Sequence, residues 1–113
     1  MESRFVQAGQ VRLEYFEQGH GLDTLVLVHG YASSAAIWRY TREFLSEERF
    51  RVIVLNNRGA GNSDRASADG PFKEDDYSVE TFAKDLFNAT EALGLEGYTL
   101  VGHSMGGATV AQY

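Results

Sequence analysis

The sequence predicts an α/β fold, with a mostly parallel sheet and flanking helices. Three short stretches are continuously apolar and rich in β-branched residues, which is typical of strands buried on both faces of a parallel sheet. Segments with helical periodicity separate these stretches. Strands that alternate with helices indicate parallel strands joined by crossover helices.

Five strands are predicted in chain order. The first two, residues 5–8 and 11–16, are joined by a turn at Gly9. In the second, apolar residues alternate with Arg12 and Glu14, which indicates a half-buried strand with both charged side chains on the solvent side. The three continuously apolar strands are residues 24–28, 51–55 and 98–101.

Two helices are predicted between the buried strands. Residues 35–46 form the first, with apolar side chains at helical spacing: Ile37, Tyr40, Phe44 and Leu45. Residues 79–93 form the second, which Ser78 can cap at its start and Gly94 at its end. Its apolar face consists of Val79, Phe82, Ala83, Leu86, Phe87, Thr90 and Leu93, while Lys84, Asp85, Asn88 and Glu91 fall largely elsewhere.

The composition is that of one globular domain. The chain has 113 residues, 43% hydrophobic and 23% charged, with a formal net charge of −6. An acidic surface argues against nucleic acid or an anionic membrane as the main partner. The lack of cysteine excludes disulfides, thiolate chemistry and cysteine-bound zinc. No apolar run is long enough to span a membrane and no signal core is present at the N-terminus, so the default expectation is a cytoplasmic protein.

The last buried strand ends in a glycine-flanked serine, Gly102-His103-Ser104-Met105-Gly106, before a helix-forming tail. A serine on such a turn takes a strained backbone conformation that lifts its hydroxyl above the sheet, and the glycines let strand and helix pack closely. The Met105 N–H then lies at the start of the helix. The pattern predicts a nucleophile, and the alternative is a glycine-rich turn with an incidental serine.

The first buried strand ends in His29-Gly30-Tyr31. A glycine here lets the chain turn so that the Tyr31 N–H points toward the same site. An oxyanion needs two such donors, and Met105 supplies the second candidate. A histidine at a strand end is more often a packed, hydrogen-bonded residue than a catalyst, so His29 is not assigned as a base. Trp38 is assigned to the core or a pocket wall.

The second buried strand is followed by a glycine-rich loop, residues 58–64, with the sequence RGAGNSD. Two glycines in a loop are compatible with a phosphate cradle, but no Gly-Lys-Ser/Thr follows and no helix begins at once. The favoured interpretation is a structural turn in which Arg58 ties loops together. A polar loop, residues 67–76, comes next and holds the only proline.

The three motifs, in this order, resemble the α/β-hydrolase fold family. HGYASSAAIW resembles its oxyanion loop, NNRGAGNSD its Asp-x-Arg-Gly-x-Gly-x-Ser turn, and LVGHSMGG its nucleophile elbow. The segment YSVETFAKDLFNATEALGLEGYTL is similar to the helix and strand that lead into the elbow. The resemblance implies the front part of that fold, with strands 1–5 in the order 1-2-4-3-5.

The resemblance is closest to the branch of small esterases, peptidases, carbon–carbon bond hydrolases and cofactor-free perhydrolases. Serine at position 104 separates the chain from dehalogenases and epoxide hydrolases, which use aspartate there. A small-molecule acyl substrate is implied, and no cofactor or metal. The implied site has Ser104 as nucleophile, the N–H groups of Tyr31 and Met105 as oxyanion hole, and supporting positions at His29, Gly30, Gly102, His103 and Gly106.

The chain departs from the family pattern at two points. Asn56 stands where the turn usually has aspartate, which keeps an acceptor and loses a charge. The family order is nucleophile, acid, histidine, yet residues 105–113 contain no Asp, Glu or His. Of the earlier histidines, His20 is placed on the opposite side of the sheet and His103 is directed away by the elbow, while the resemblance implies a positioning role for His29.

The expectation is therefore that residues 1–113 form a single partial domain, the N-terminal part of an α/β-hydrolase core that ends just after the elbow. The parent protein would be an esterase-like serine hydrolase, and the isolated chain would be inactive because its acid and histidine lie elsewhere. The alternative is a non-catalytic binding module of hydrolase-like fold, for which the lack of both residues is expected. No oligomeric state is predicted.

Overall fold

A five-stranded sheet in the order β1-β2-β4-β3-β5 forms the centre of the computed structural model, which describes residues 1–65 and 75–113. β1 and β2 form an antiparallel hairpin, β2 is also antiparallel to β4, and β3 is parallel to both β4 and β5. The α/β class and the strand order are confirmed, and the antiparallel hairpin makes the sheet mixed. The strands are β1 (Arg4–Ala8), β2 (Val11–Gln18), β3 (Asp23–Val28), β4 (Phe50–Leu55) and β5 (Tyr98–Gly102).

The helical segments flank this sheet. Ser78 caps the second α-helix as predicted, because its Oγ accepts a hydrogen bond from the Thr81 N–H at 3.2 Å. In the part of the chain that the structure describes, no helix is long and apolar enough to cross a bilayer. The polar loop predicted at 67–76 lies largely outside the described residues. The segments are a 3₁₀ turn (Ala35–Trp38), α1 (Arg39–Glu43), α2 (Val79–Ala92) and α3 (Met105–Gln112).

The core has two layers, one on each face of the sheet. On one face, Val26, Val28, Ile53 and Leu55 pack with Leu86 and Ala89 of α2. On the other face, Leu27, Val52 and Val54 pack with Ala35 and Trp38 of the 3₁₀ turn. The central strands are buried on both sides, which is the physical reason for their continuous apolar sequence.

The helical pattern predicted for residues 35–46 is wrong in its geometry. Tyr40 and Phe44 are 63% and 87% exposed, whereas Trp38 is in the core as predicted. The segment begins as a 3₁₀ turn, which has three residues per turn, so Ala35 and Trp38 lie one above the other and face the sheet. Spacing that assumes 3.6 residues per turn therefore selects the wrong face.

Two residues of α2 differ in burial from the predicted apolar face. Phe87 is half exposed, at 49%, although the amphipathic pattern places it with the core residues. Asp85 is 4% exposed, although the pattern places it outside the apolar face. A buried carboxylate requires a partner, and for Asp85 that partner is Arg58 from the turn after β4.

Candidate active site

The three sequence motifs meet at one edge of the sheet. In the parallel register, Val28 of β3 pairs with Leu55 of β4 on one side and with Gly102 of β5 on the other. The segments that follow these residues therefore leave the sheet side by side. Sites in α/β sheets form beyond the carboxyl ends of the strands, and this edge is where the candidate residues are found.

The elbow has the strained geometry that its sequence predicts. Ser104 has φ 57° and ψ −122°, is exposed, and directly precedes α3, which begins at Met105. A Cβ atom on Gly102 would lie 2.3 Å from the Gly106 carbonyl oxygen, and one on Gly106 would lie 2.3 Å from the Val28 carbonyl oxygen. Both positions require glycine because strand and helix are packed backbone to backbone.

The loop after β3 lies against this elbow. A Cβ atom on Gly30 would be 3.2 Å from the Ser104 Cβ and 3.1 Å from the His103 carbonyl oxygen. Within residues 1–65 and 75–113, the N–H groups of Tyr31 and Met105 donate no hydrogen bond. The structure thus brings the serine together with two main-chain donors that have no acceptor among the described residues.

A cavity of about 430 Å³ opens beside these donors, and both Tyr31 and Met105 line it. Its volume is within the range of pockets that bind small molecules. Ser104 does not line the cavity itself, although the adjoining Gly30 and Met105 do. The remaining lining includes Asn57, Arg58, Tyr77 and Phe82.

His29 is buried, and both of its ring nitrogens are engaged. The Asn57 N–H donates to Nε2 at 3.0 Å, so the ring proton is on Nδ1, which lies 2.7 Å from the Gly30 carbonyl oxygen and donates to it. Burial lowers the pKa of His29, and the hydrogen bond to Gly30 opposes this only in part. The Gly30 carbonyl and the Tyr31 N–H belong to the same planar peptide unit, so neutral His29 fixes the direction of that N–H.

The other two histidines make different contacts. The ring of His103 is exposed and makes an edge-to-face contact with Trp38, with centroids 6.3 Å apart. His20 lies in the turn before β3, at the opposite end of that strand from the elbow, where its N–H donates to the Glu47 carbonyl oxygen. Among the described residues, no histidine ring hydrogen-bonds Ser104, and no group of three His, Asp or Glu side chains is arranged to hold a metal ion.

Glu14 organises the turn after β4, and the sequence pattern misplaces it on the solvent side of β2. The side chain is 2% exposed. It accepts hydrogen bonds from the Asn56 amide at 2.8 Å, from the Asn62 N–H at 3.0 Å, from the Asn62 amide at 2.9 Å and from the Ser3 hydroxyl. Burial raises the pKa of Glu14, but these hydrogen bonds together hold it below its ordinary value, so the buried carboxylate is ionised.

This network explains why asparagine occupies position 56. Its Nδ2 donates to Glu14, and its Oδ1 accepts from the Ala35 N–H at 2.7 Å. An aspartate could make the second contact but would place its own negative charge beside Glu14. The departure at Asn56 was the one sequence signal that could have identified Glu14 as buried.

Arg58 confirms the structural interpretation of the glycine-rich turn. Its Nε and Nη2 donate to the two Asp85 carboxylate oxygens at 2.6 and 2.8 Å, and its Nη1 donates to the Asp76 carbonyl oxygen at 3.3 Å. The hydrogen bond to Asp85 raises the pKa of Arg58 further above its ordinary value. The guanidinium is neutralised by this bidentate pair and joins the turn to α2.

Comparison with known proteins gives the same assignment as the fold. Residues 23–113 match the family model described as alpha/beta hydrolase fold. The chain is 34% identical over 100 residues to bifunctional epoxide hydrolase 2 of Sus scrofa, covering 88% of this chain and 17% of that protein. It is 38% identical over 101 residues to N-formylmaleamate deformylase of Pseudomonas putida, covering 89% of this chain and 35% of that protein.

Solved structures show the same relation. A bromoperoxidase from Bacillus anthracis matches 99% of this chain and 38% of its own, with a TM-score of 0.81 and 35% identity. The chain therefore spans well under half the length of each of these three proteins. The elbow, the loop against it and the strand order are thus parts of a known architecture, and the chain belongs to the alpha/beta hydrolase fold family.

Proposed function

We propose that this chain is the N-terminal segment of a serine hydrolase that cleaves an ester-like or other acyl bond through a covalent intermediate on Ser104. The observation that carries the proposal is the elbow itself: a serine at φ 57° beside two main-chain N–H groups for which the described residues provide no acceptor. Strained backbone at an exposed polar residue is typical of functional sites. The serine occupies the position of a nucleophile, and the two donors occupy the position of an oxyanion hole.

In the proposed reaction, the Ser104 oxygen attacks the acyl carbonyl while a histidine takes its proton. The carbonyl oxygen gains negative charge, which the N–H groups of Tyr31 and Met105 stabilise. The leaving group departs with the proton, and water then hydrolyses the acyl-enzyme. Among the described residues no histidine ring hydrogen-bonds Ser104, and the proposal takes the histidine and its acid partner to lie outside residues 1–113.

The names of the relatives support a hydrolytic reaction but do not identify a substrate. One is named as an epoxide hydrolase, one as a deformylase and one as a bromoperoxidase. Removal of a formyl group is cleavage of an acyl bond, which fits a serine nucleophile. The resemblance implies aspartate at the nucleophile position of epoxide hydrolases, so Ser104 favours acyl chemistry in this chain. A small acyl compound also fits the cavity of about 430 Å³.

A fluorophosphonate probe tests the nucleophile in the complete protein. We expect labelling at Ser104, and we expect Ser104→Ala to abolish labelling and to lower kcat by about a millionfold, as loss of a triad serine does elsewhere. Ser33→Ala is the matched control, because Ser33 lines the neighbouring cavity and should leave labelling intact. Labelling that persists in Ser104→Ala would refute the assignment, and a complete protein that is not labelled at all would favour the alternative, a non-catalytic binding module.

The 113-residue chain by itself tests where the base lies. We expect no Ser104-dependent hydrolysis of short-chain p-nitrophenyl esters, because an unactivated serine is almost wholly protonated at neutral pH. The comparison is with the same chain carrying Ser104→Ala. Substantial turnover by soluble, monomeric chain that Ser104→Ala removes would place a base among these residues, with His29 and His103 the first to replace.

A further inference from the structure

A second cavity, of about 330 Å³, lies between the 3₁₀ turn with α1 and the strands β2 and β4. It shares no lining residue with the cavity beside the elbow. We propose that this cavity is a binding site for a small oxyanion, a phosphate or carboxylate group, held by Arg39 and Arg42. The proposal is independent of the function proposed for Ser104.

The first argument is charge. Four arginines, Arg4, Arg49, Arg51 and Arg58, each lie within 4.0 Å of a carboxylate. In the described part of the chain, no carboxylate lies that close to Arg39 or Arg42, although the chain as a whole carries a net charge of −6. Arg39 instead lies over the ring of Tyr40, with its Cζ 4.8 Å from the ring centroid.

The two arginines also belong to the same helix, α1. They are three residues apart on α1, which places both side chains on one side of the helix, where like charges destabilise it. Both line the cavity. An anion between them would remove this repulsion, and a guanidinium presents two parallel N–H groups that match an oxyanion.

The second argument is an unsatisfied donor. The Nε of Arg42 is buried, and no acceptor for it is found among the described residues. Buried polar groups in folded proteins nearly always have a partner, and an exception indicates a water or an ion. An oxyanion in the adjoining cavity would supply the missing acceptor and, with its second oxygen, could accept from a terminal nitrogen of the same guanidinium.

The rest of the lining is compatible with a small anion. The Ser34 hydroxyl oxygen accepts from the Ala36 N–H at 3.2 Å, so the hydroxyl proton is still available to donate. Asn56 is engaged at both ends of its amide and forms a wall rather than a ligand. Glu14 hydrogen-bonds the Asn56 amide and is surrounded by its own donors. Among the described residues, the lining of the cavity includes Arg39 and Arg42 and no Asp or Glu side chain.

Phosphate binding to the complete protein tests the site. Calorimetry measures the affinity, and the Tm is measured as phosphate replaces chloride at constant ionic strength. We expect phosphate to raise Tm. Arg39→Gln and Arg42→Gln should each weaken phosphate binding by about tenfold or more, as expected for loss of a charge-assisted hydrogen bond. Arg42→Lys keeps the charge and removes the planar fork, so it should also weaken binding.

Arg49→Gln is the matched control, because Arg49 is exposed, pairs with Asp23 and lies away from the cavity. It should bind phosphate as the parent does. Parallel titration with acetate assigns the ligand: binding of both anions supports a carboxylate or a phosphate, and binding of phosphate alone supports a phosphate group. If Arg42→Gln does not fold, the binding measurements on Arg39→Gln and Arg42→Lys are sufficient for the test. The proposal is overturned if neither phosphate nor acetate gives a shift beyond chloride, or if these variants bind the anion as tightly as the parent.

Discussion

Two regions at the same edge of the sheet differ in whether their polar groups are hydrogen-bonded. Around the turn after β4, Glu14 of β2 and the turn residues Asn56 and Ser63 are buried, and each is hydrogen-bonded. At the elbow, Ser104 is exposed on a strained backbone, and the neighbouring Tyr31 N–H has no acceptor within the described residues. The satisfied groups fix geometry, and the unsatisfied groups are the ones that a reaction can use.

The two regions are physically connected. Asn56 accepts from the Ala35 N–H just beyond the loop that follows β3, and the Asn57 N–H donates to His29 within that loop. The turn therefore holds the loop at two points, and the loop in turn lies against the elbow. Changes in the turn should appear mainly as lost stability, whereas changes at the elbow should appear mainly as lost activity.

Asn56→Asp should give the largest effect on stability. It places a second carboxylate beside buried Glu14, and an uncompensated buried charge costs about 3–5 kcal/mol. Glu14→Gln removes the repulsion, so the double variant should be much more stable than the sum of the single effects predicts. Urea unfolding of the four proteins in this cycle measures the coupling. Additive effects would show that Asn56 and Glu14 do not depend on each other.

Tyr31→Pro tests the elbow side of the comparison. It removes the N–H that is proposed to stabilise the oxyanion and should lower kcat by a few hundredfold, about 3 kcal/mol. Tyr31→Phe keeps the amide, and since the side chain is 71% exposed its kcat should stay close to that of the parent. Unfolding free energies of both variants control for backbone damage by proline. Similar kcat values in two equally folded variants would remove Tyr31 from the oxyanion hole.

The same comparison shows what could be predicted from the sequence. The central strands are predictable because burial on both faces leaves a continuous apolar run, as in residues 51–55. The elbow geometry is predictable because Gly102 and Gly106 leave room that a Cβ would fill. These signals are local, since each is carried by a few neighbouring residues.

The features that the sequence did not predict depend on contacts between distant residues. Glu14 occupies a position that alternation assigns to solvent, and most of the donors that compensate its burial are 42 to 48 positions away along the chain. Asp85 is buried for the same reason, through Arg58. In the 3₁₀ turn, the helical period itself changes, so the face of Trp38 could not be read from α-helical spacing.

His29 links the two regions, and its burial predicts a pH dependence of stability. The folded protein holds His29 neutral because its pKa is lowered, whereas the unfolded chain binds a proton with a pKa of about 6.5. Below about pH 6.5 the unfolded state therefore binds more protons, so stability falls as pH decreases, by at most about 1.4 kcal/mol per pH unit. Above pH 7 this contribution is fully present.

Unfolding free energies of the parent and of His29→Gln between pH 5 and 7.5 measure the contribution of His29 to the pH dependence of stability. The difference between them should be constant above pH 7 and should shrink below pH 6.5, because the variant has no group to titrate at this position. His20→Gln, at an exposed turn, is the matched control and should follow the parent. Parallel curves for the parent and His29→Gln would show that His29 titrates alike in both states. The contribution of Glu14, whose pKa is also lowered, is lost at lower pH, below its unfolded pKa of about 4.3.

The smallest expected effect concerns strain in the loop beside the elbow. Ala32 has φ 55°, and Ser104 is the other non-glycine residue with positive φ in the described part of the chain. Left-handed backbone costs an alanine about 1–2 kcal/mol, while glycine adds about 0.4–1 kcal/mol of unfolded-state entropy, so Ala32→Gly should stabilise the fold by up to about 1 kcal/mol. Ala36→Gly, in the neighbouring 3₁₀ turn, should instead destabilise by about 0.5–1 kcal/mol. Ser104→Gly should also stabilise, but with loss of activity, whereas Ala32→Gly should keep most of it. Equal destabilisation by Ala32→Gly and Ala36→Gly would mean that the loop stores no strain, and the contrast between a strained elbow region and a relaxed turn would then rest on Ser104 alone.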